Sequence, residues 1–292
     1  MHAAIYGRHL HKDDIPFLQK FFDLLDNNKI SYVIENNFLK KLNPHIHFSN
    51  TSLTFQSHVD IRNNTDCLFS LGGDGTMLDT VALVRDSNIP VMGINIGRLG
   101  FLASIGREQI EDAVQALINK QYTLENRTLV HIDTEQKIFG EVNYGLNDFT
   151  IHKKDTSAMN VIHAKVNGEL MASYWADGLI VATPTGSTAY NLSCGGPILA
   201  PDSGSFVITP IASHNLSLRP LVVSDNSVIS LEVHGRSENF LANLDSRTVS
   251  VDSSCKFEVR KEKFPIRLIQ LNNMNFLSTL RAKLNWGIDK RN

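Results

Sequence analysis

Residues 71–76, Leu71-Gly72-Gly73-Asp74-Gly75-Thr76, are the strongest indication of the architecture of this chain. It follows the apolar run Cys67-Leu68-Phe69 and precedes a helix-like segment over residues 77–85. Glycine has no Cβ atom, so the backbone of such a loop can approach a ligand closely. A helix that begins directly after the loop presents unpaired N–H groups and the positive end of its dipole, which favour anions. The stretch therefore predicts a strand, a phosphate-binding loop and a helix in succession.

Asp74 is the unusual member of this loop, because a carboxylate repels phosphates unless it binds Mg²⁺ or takes a proton from an attacking hydroxyl. The alternative is that Asp74 caps the following helix, and the loop alone leaves both interpretations open. No Gly-Lys dipeptide occurs in the chain, which excludes a P-loop. The glycines of residues 93–100 are spaced too widely for the dinucleotide fingerprint. A nucleotide must therefore be held in another way.

The first half of the chain alternates strand-like and helix-like segments. The patterns predict strands over 2–7, 31–35, 67–71 and 90–94 and helices over 13–28, 77–85 and 108–119, whereas residues 36–65 are weakly patterned. This order predicts a parallel sheet covered by helices, with ligands beyond the carboxyl ends of the strands. We assign residues 1–125 to an α/β domain and expect a helix within 275–292 to pack back on it.

The second half has a shorter, two-residue pattern and is predicted to be mostly β. Candidate strands cover 128–133, 138–144, 161–166, 170–175, 179–182, 206–210, 228–234, 248–251 and 257–260. Asn167-Gly168 predicts a hairpin, since both central positions of a type I′ turn need positive φ. We assign residues 126–270 to this second domain, as the dinucleotide-binding domain.

Composition limits the partners. The 292 residues carry a net charge of −2, which gives no electrostatic reason to bind nucleic acid. The three cysteines have no metal-ligand spacing and indicate reduced thiols. No leader segment and no apolar run of membrane-spanning length is visible. We expect a cytoplasmic protein with a small nucleotide partner and no membrane contact.

A second constellation lies in the β half, where Asp177-Gly178 opens an apolar run that leads into Thr183-Pro184-Thr185-Gly186-Ser187-Thr188-Ala189-Tyr190. Small hydroxyl residues allow close backbone approach, and Tyr190 offers a face that can stack on a base. The alternative is a strand, a turn and a helix capped at Ser187, with Tyr190 in the core. Asn147-Asp148 supplies an amide and a carboxylate that suit ribose hydroxyls. Phe101 could be core or the wall of a ligand site.

Together and in this order, these motifs resemble the bacterial ATP-dependent NAD kinases, and residues 95–102 and 195–198 extend the resemblance. It implies an α/β domain followed by a mostly β domain, ATP with Mg²⁺ as donor, NAD as acceptor, and a homotetramer or homodimer. Asp74 would accept the proton of the adenosine ribose 2′-hydroxyl, and no protein metal ligand is assigned. The residues implied in binding are Gly72, Gly73, Gly75, Phe101, Asn147, Asp148, Trp175, Asp177, Thr185, Thr188, Ala189, Tyr190, Asn191, Leu192, Ser193, Ala212 and Arg247.

Three positions depart from the family pattern. The usual Asn-Glu pair is Asn147-Asp148, a basic residue common before Asp-Gly is replaced by Trp175-Ala176, and Arg247 stands where many members have glutamine. The Gly-Gly-Asp-Gly element alone is shared with phosphofructokinases and diacylglycerol-type lipid kinases. A lipid kinase, a sugar kinase and a non-catalytic dinucleotide sensor are therefore the alternatives. Formation of NADP from ATP and NAD separates them.

Overall fold

The computed structural model describes residues 1–49, 53–97, 100–154, 160–235, 239–272 and 274–287. The chain divides into two compact units, one made of Met1–Asn126 with Ile266–Asn292 and the other of Arg127–Pro265. The strands are β1 (His2–Gly7), β2 (Ser31–Glu35), β3 (Leu53–Phe55), β4 (Cys67–Gly72), β5 (Val91–Asn95), β6 (Tyr122–Arg127), β7 (Val130–Asp133), β8 (Tyr144–Gly145), β9 (Asp148–Lys153), β10 (Asn160–Val166), β11 (Glu169–Ala176), β12 (Gly178–Ala182), β13 (Ser205–Ile211), β14 (Leu221–Ser224), β15 (Ile229–Gly235), β16 (Asn239–Leu244), β17 (Arg247–Asp252), β18 (Lys256–Lys261) and β19 (Ile266–Leu271). The helices are α1 (Ile15–Asn27), α2 (Asn36–Leu42), α3 (His58–Ile61), α4 (Asp74–Val84), α5 (Ile110–Ile118), α6 (Tyr190–Ser193) and α7 (Phe276–Leu284).

The first unit is built on a seven-stranded sheet with the order β3-β2-β1-β4-β5-β19-β6. The strands from β3 to β5 run parallel to their neighbours, and β19 pairs with β5 in the same sense. Apolar residues of α1, α2 and α5 pack on this sheet in one cluster that includes Phe21, Phe22 and Phe69. The predicted parallel sheet with covering helices is confirmed. The weakly patterned segment 36–65 contains α2, β3 and α3.

Strand β19 lies in the first unit, whereas the sequence assigned residues up to 270 to the second. It joins the parallel sheet at the pair Leu268–Val91. Four of its six residues are buried, namely Ile266, Leu268, Ile269 and Leu271. Such an apolar run is typical of a strand inside a parallel sheet, where both faces are covered. Helix α7 belongs to the same unit, and residues 288–292 lie outside the described residues.

The second unit consists of two six-stranded sheets, β11-β10-β15-β18-β7-β8 and β14-β13-β12-β9-β16-β17. One apolar cluster contains residues of both sheets, and the rings of Phe149 and Phe257, from β9 and β18, lie 5.1 Å apart. The predicted mostly β character is confirmed. Asn167 and Gly168 have φ values of 52° and 84°, which confirms the hairpin between β10 and β11.

The strand predicted over 138–144 is wrong. Residues 138–141 form turns, and only Tyr144–Gly145 pairs as β8. Lys137 and Gly140 have φ values of 48° and 62°, which a strand does not accommodate. The apolar residues Ile138 and Phe139 produced the strand-like pattern because they pack against the core from a turn. Within the part of the chain that the structure describes, no helix has the length and apolar character needed to cross a bilayer.

Candidate active site

The glycine loop leaves the first sheet at the carboxyl end of β4. The loop begins at Gly72, and α4 starts at Asp74 with Gly73 as its N-cap residue in an extended conformation. The strand order reverses between β1 and β4, since the chain runs outward from β1 to β3 and then returns to the other side of β1. In open α/β sheets, ligands bind outside the carboxyl ends of the strands at such a point. The fold thus places the loop where the sequence predicted a ligand site.

The Asp74 carboxylate is held by a second loop rather than by its own helix. Oδ2 accepts a hydrogen bond from the Phe101 amide at 2.8 Å, and Oδ1 accepts from the Leu102 and Ala103 amides at 3.0 Å each. An ionised carboxylate has about four acceptor positions. These three amides leave one acceptor direction at Oδ2. Asp74 is the first residue of α4, whose N-cap residue is Gly73, and the hydrogen bonds to its carboxylate come from residues 101–103, so the capping interpretation is not supported.

The glycines around Asp74 fall into two groups. A Cβ at Gly72 would lie 2.2 Å from Thr76 Oγ1, and a Cβ at Gly100 would lie 1.9 Å from Asp74 Oδ1. The protein's own packing therefore requires glycine at both positions. Among the described residues, a Cβ at Gly73 or Gly75 would have no heavy atom within 4 Å apart from its own local backbone, and neither residue has a positive φ. Internal packing gives no reason for these two glycines, which favours close approach of a ligand. Arg98 and Leu99 lie outside the described residues.

Asn147 and Asp148 are held in place by Asp245, a residue that the sequence did not single out. Asp245 Oδ2 accepts from the Leu146 amide at 2.7 Å, while Oδ1 accepts from the amides of Asn147 at 2.8 Å and Asp148 at 3.1 Å. Asp245 has a φ of 51° in the two-residue turn between β16 and β17. An aspartate in such a turn was the one available signal.

The Asp148 carboxyl is buried and lies near the negative charge of Asp245. Burial and this charge raise the pKa of Asp148 to about 7, while the hydrogen bond from Thr150 acts in the opposite direction. Thr150 Oγ1 donates to Asp148 Oδ1 at 3.1 Å. Asp148 therefore titrates near neutral pH. Perturbed carboxyl groups of this kind occur most often at functional sites.

The Thr183–Tyr190 loop packs directly against Asn147. Thr183 Oγ1 donates to the Leu146 carbonyl at 2.6 Å, and the Thr183 amide donates to the Asn147 carbonyl at 2.9 Å. A Cβ at Gly186 would lie 2.0 Å from the Asn147 carbonyl oxygen, so only glycine permits this contact. The second unit thus brings two of the predicted motifs together.

Tyr190 projects from this loop with 42% of its surface exposed, so it is not a core residue. Burial of its phenol and the neighbouring Cys194 raise the pKa of Tyr190, and the charges of Asp148 and Asp177 act in the same sense. Tyr190, Asp148 and Asp177 therefore share one region of the second unit. Ser193 is exposed there, and Thr188, Ala189 and Leu192 are half-buried.

Asn191 and Thr185 face inward instead. The Asn191 amide nitrogen donates to the carbonyls of Ser187 at 2.9 Å and Pro197 at 3.0 Å, and its oxygen accepts from Thr209 at 2.6 Å. Thr185 is 6% exposed, and its hydroxyl accepts from Arg127 at 3.3 Å. The structure gives Asn191 and Thr185 the contacts of residues that shape the loop.

The remaining predicted residues differ in their surroundings. Asp177 forms an ion pair with Lys153 at 2.6 Å, a partner that sequence reasoning missed. Trp175 is 48% exposed, and Ala212 is exposed with a φ of 46°. The Arg247 guanidinium donates to the carbonyls of Val142 and Tyr144. Arg247 therefore braces the strand before Asn147.

The arrangement of His, Cys, Asp and Glu side chains indicates how a metal ion could bind to the described residues. The described residues contain no group of three or more His, Cys, Asp or Glu side chains that could hold a metal ion. Mg²⁺ in kinases usually keeps several waters and binds through one or two carboxylates together with substrate phosphates. The residues present fit a metal that arrives on the phosphates of a nucleotide, not one held in a cage of protein ligands.

Two family models match the chain. The ATP-NAD kinase N-terminal domain matches residues 7–122, and the ATP-NAD kinase C-terminal domain matches residues 146–271. The NAD kinase of Cytophaga hutchinsonii is 45% identical over 290 residues, which is 99% of each chain. Yeast NADH kinase complexed with NADH superposes with a TM-score of 0.86 at 23% identity, covering 99% of this chain and 88% of the yeast chain. The NAD kinase of Archaeoglobus fulgidus in complex with ATP gives 0.76 at 23% identity, covering 98% and 99%.

Proposed function

Because this chain belongs to the ATP-NAD kinase family and phosphorylates NAD, we propose that Asp74 is the proton acceptor for the 2′-hydroxyl of the adenosine ribose. The observation that carries the proposal is the Asp74 carboxylate, which three backbone amides fix while one acceptor direction at Oδ2 remains. A general base must lie within hydrogen-bond reach of the proton that it removes. The remaining acceptor direction of Asp74 Oδ2 would let the carboxylate accept a hydrogen bond from the ribose hydroxyl.

The proposed reaction is a direct transfer. The hydroxyl proton passes to Asp74 Oδ2 as the ribose oxygen forms a bond to the γ-phosphorus of ATP, and the bond from that phosphorus to the β-bridging oxygen breaks to release ADP. Mg²⁺, as part of the MgATP substrate, offsets the charge of the phosphates. The amides at the start of α4 and of the glycine loop would face the same anion. No phosphorylated enzyme forms on this route.

Residues of the second unit are proposed to hold the dinucleotide. Asn147 and Asp148 offer an amide and a carboxyl group whose backbone is fixed by Asp245. Tyr190 presents a half-exposed ring that can stack on a base, beside Thr188, Ala189 and Ser193. Asp177, with its partner Lys153, would face the nicotinamide half. Asn191, Thr185 and Arg247 would act on ligands only through the residues that they position.

The experiment that tests the activity is a coupled assay for NADP with ATP and NAD as substrates. Diacylglycerol and fructose 6-phosphate serve as acceptor controls for the lipid-kinase and sugar-kinase alternatives. We expect NADP to form and neither control to be phosphorylated. Binding of NAD without any turnover would favour the sensor alternative and contradict the proposal.

Gly73→Ala should separate ligand binding from folding. We expect an unchanged melting temperature, because the new Cβ meets no heavy atom of the described residues within 4 Å beyond its chain neighbours. We expect the KM for ATP to rise about tenfold, since a methyl group would push the phosphates away from the loop amides and weaken charge-assisted hydrogen bonds. Steady-state kinetics with ATP varied and thermal unfolding measure the two quantities. An unchanged KM for ATP would remove Gly73 from the site.

The raised pKa of Asp148 predicts a pH-dependent affinity for NAD. The ionised carboxylate accepts hydrogen bonds from ribose hydroxyls, whereas the protonated form has lost part of that capacity. With a pKa of about 7, affinity should increase several-fold as the pH rises from 6 to 8. Titration of NAD binding at both values measures the effect. Asp148→Asn should bind with a flat profile, and an unchanged pH dependence in that variant would contradict the assignment.

The raised pKa of Asp148 also predicts how the free energy of unfolding changes with pH. The pKa of Asp148 is higher in the folded than in the unfolded protein, so unfolding releases a proton between pH 4 and 7. The free energy of unfolding should therefore fall as the pH rises through this range. Asp148→Asn should exceed the wild type in stability at pH 8 and lose that advantage below pH 4. Chemical denaturation at both pH values tests this.

Two further properties are proposed on the family resemblance. The protein would assemble as a homotetramer or homodimer, which light scattering in solution measures directly. It would work in the cytoplasm, and the three free cysteines are consistent with that reducing compartment.

A further inference from the structure

The loop after β1 lies beside the glycine loop at the edge of the first sheet. Strands β1 and β4 are parallel neighbours, and Gly7 pairs with Leu71. The next residues along the two strands are Arg8 and Gly72, so Arg8 opens the β1 loop directly alongside the start of the glycine loop. The strand order reverses between these two strands. Both loops therefore border the crevice that this topology reserves for a ligand.

The Arg8 side chain is oriented by Asp79, which is itself held by Tyr6. Its Nη1 lies 3.7 Å from Asp79 Oδ2 on helix α4. The same oxygen accepts a hydrogen bond from the Tyr6 hydroxyl at 2.9 Å. Burial and the Asp79 charge raise the pKa of Tyr6, so the phenol remains a donor throughout the neutral range. Lys41 Nζ donates to the Arg8 carbonyl at 2.6 Å, which fixes the backbone as well.

The protein leaves the Arg8 guanidinium free to bind something else. A separation of 3.7 Å exceeds hydrogen-bond length, so the contact with Asp79 orients the group without using its donors. Among the residues that the structure describes, this guanidinium donates no hydrogen bond, and half of the side chain is exposed. Arg107 shows the contrast, because its guanidinium donates to Ile96, Asp13 and Asp14. Arg8 has up to five N–H donors in a fixed fork.

We propose that Arg8 binds the phosphate chain of the phosphoryl donor and that Tyr6 and Asp79 position it for this task. The inference deepens the proposed function, since it rests on the glycine loop being the donor site. Helix and loop amides supply partial charges, whereas Asp74 and Asp79 add two formal negative charges to the same edge. A guanidinium supplies a full positive charge and the bidentate geometry that a phosphate group accepts.

The test compares Arg8→Ala and Arg8→Lys with Arg62→Ala. Arg62 is a matched control in the same unit, because it pairs with Asp86 at 2.9 Å just beyond the other end of α4 and is 45% exposed. We expect Arg8→Ala to raise the KM for ATP by roughly 10- to 100-fold, the range for hydrogen bonds to charged groups. The KM for NAD and the melting temperature should stay close to the wild-type values. Arg8→Lys should recover part of the affinity, because it keeps the charge but loses the fork.

Direct binding separates this inference from the proposed function. Calorimetric titration with MgATP and with inorganic tripolyphosphate should show weaker binding by Arg8→Ala for both ligands, since both present a phosphate chain. Wild-type protein that binds MgATP through Arg8 but forms no NADP would contradict the proposed function and support the inference. Wild-type protein that forms NADP while Arg8→Ala and Arg62→Ala share its KM for ATP would overturn the inference. Tyr6→Phe should weaken ATP binding less than Arg8→Ala does, because it removes only the group that holds Asp79.

Discussion

Asp74→Asn should lower kcat by about 10² to 10⁴, the usual contribution of a positioned general base. An amide cannot accept the ribose proton at neutral pH, so the step that the carboxylate assists loses its acceptor. The dissociation constant for NAD should change little, because the proposed dinucleotide contacts come from the second unit. Single-turnover kinetics of NADP formation and equilibrium binding of NAD measure the two quantities.

The control for this variant must share its structural side effect. Asparagine can keep the Leu102 and Ala103 hydrogen bonds through its oxygen, but its nitrogen cannot accept from the Phe101 amide. Glu35→Gln reproduces that defect elsewhere, because Glu35 Oε1 accepts from the Asn37 amide at 3.0 Å and Oε2 accepts from the Phe38 amide at 2.9 Å, so that glutamine must lose one of the two acceptors. We expect Glu35→Gln to lose some stability and keep its kcat. A near-wild-type kcat in Asp74→Asn would remove Asp74 from the catalytic role.

Gly100→Ala should be nearly as damaging although it leaves every polar group in place. The new Cβ would lie 1.9 Å from Asp74 Oδ1, a distance that no pair of unbonded atoms tolerates. Either the Asp74 carboxylate or the loop that donates three amides to it must move. Overpacking of this kind costs about 1–3 kcal/mol, and displacement of a catalytic group by about 1 Å can cost 10²-fold in rate. Thermal unfolding and kcat should therefore fall together.

Gly73→Ala provides the comparison for Gly100→Ala, because the same methyl group is added next to the same loop without an internal clash. The two variants should differ in kind: Gly73→Ala alters the KM for ATP at constant stability, whereas Gly100→Ala lowers stability and kcat. Equal melting temperatures for Gly100→Ala and the wild type would show that the Asp74 carboxylate is not held as described.

The sequence predicted the parts of the fold that have strong local patterns. The amphipathic helix around Leu18, Phe22 and Leu25 and the hairpin at Asn167-Gly168 follow from periodicity and turn chemistry, and both are present. The false strand over 138–144 arose because apolar residues can pack from a turn as well as from a strand. Strand β19 was missed because nothing local reveals that a distant segment returns to the first sheet.

The residues of the candidate site also fall into those that local sequence patterns predict and those that they do not. Motifs with distinctive spacing predicted Asp74, Asn147, Asp148 and Tyr190 as site residues, and these stay predictions. Sequence patterns did not reveal the contacts of Asp245, Lys153 and Arg8, because their partners, the Asn147 amide, Asp177 and Asp79, are distant in sequence. These contacts depend on strand register, which single-sequence patterns do not specify.

The position of β19 between β5 and β6 has a consequence for synthesis on the ribosome. Among the described strands, β6 joins the first sheet through β19 alone, and β19 begins at Ile266, after the whole of Arg127–Pro265 has been made. The later unit is one continuous segment and has all its own strands by then, so it can finish first. The part of the first unit made by residues 1–126 lacks β19 beside β5 until the last tenth of the chain has been synthesised. A nascent polypeptide that stops short of β19 therefore lacks the strand that lies between β5 and β6 in the first sheet.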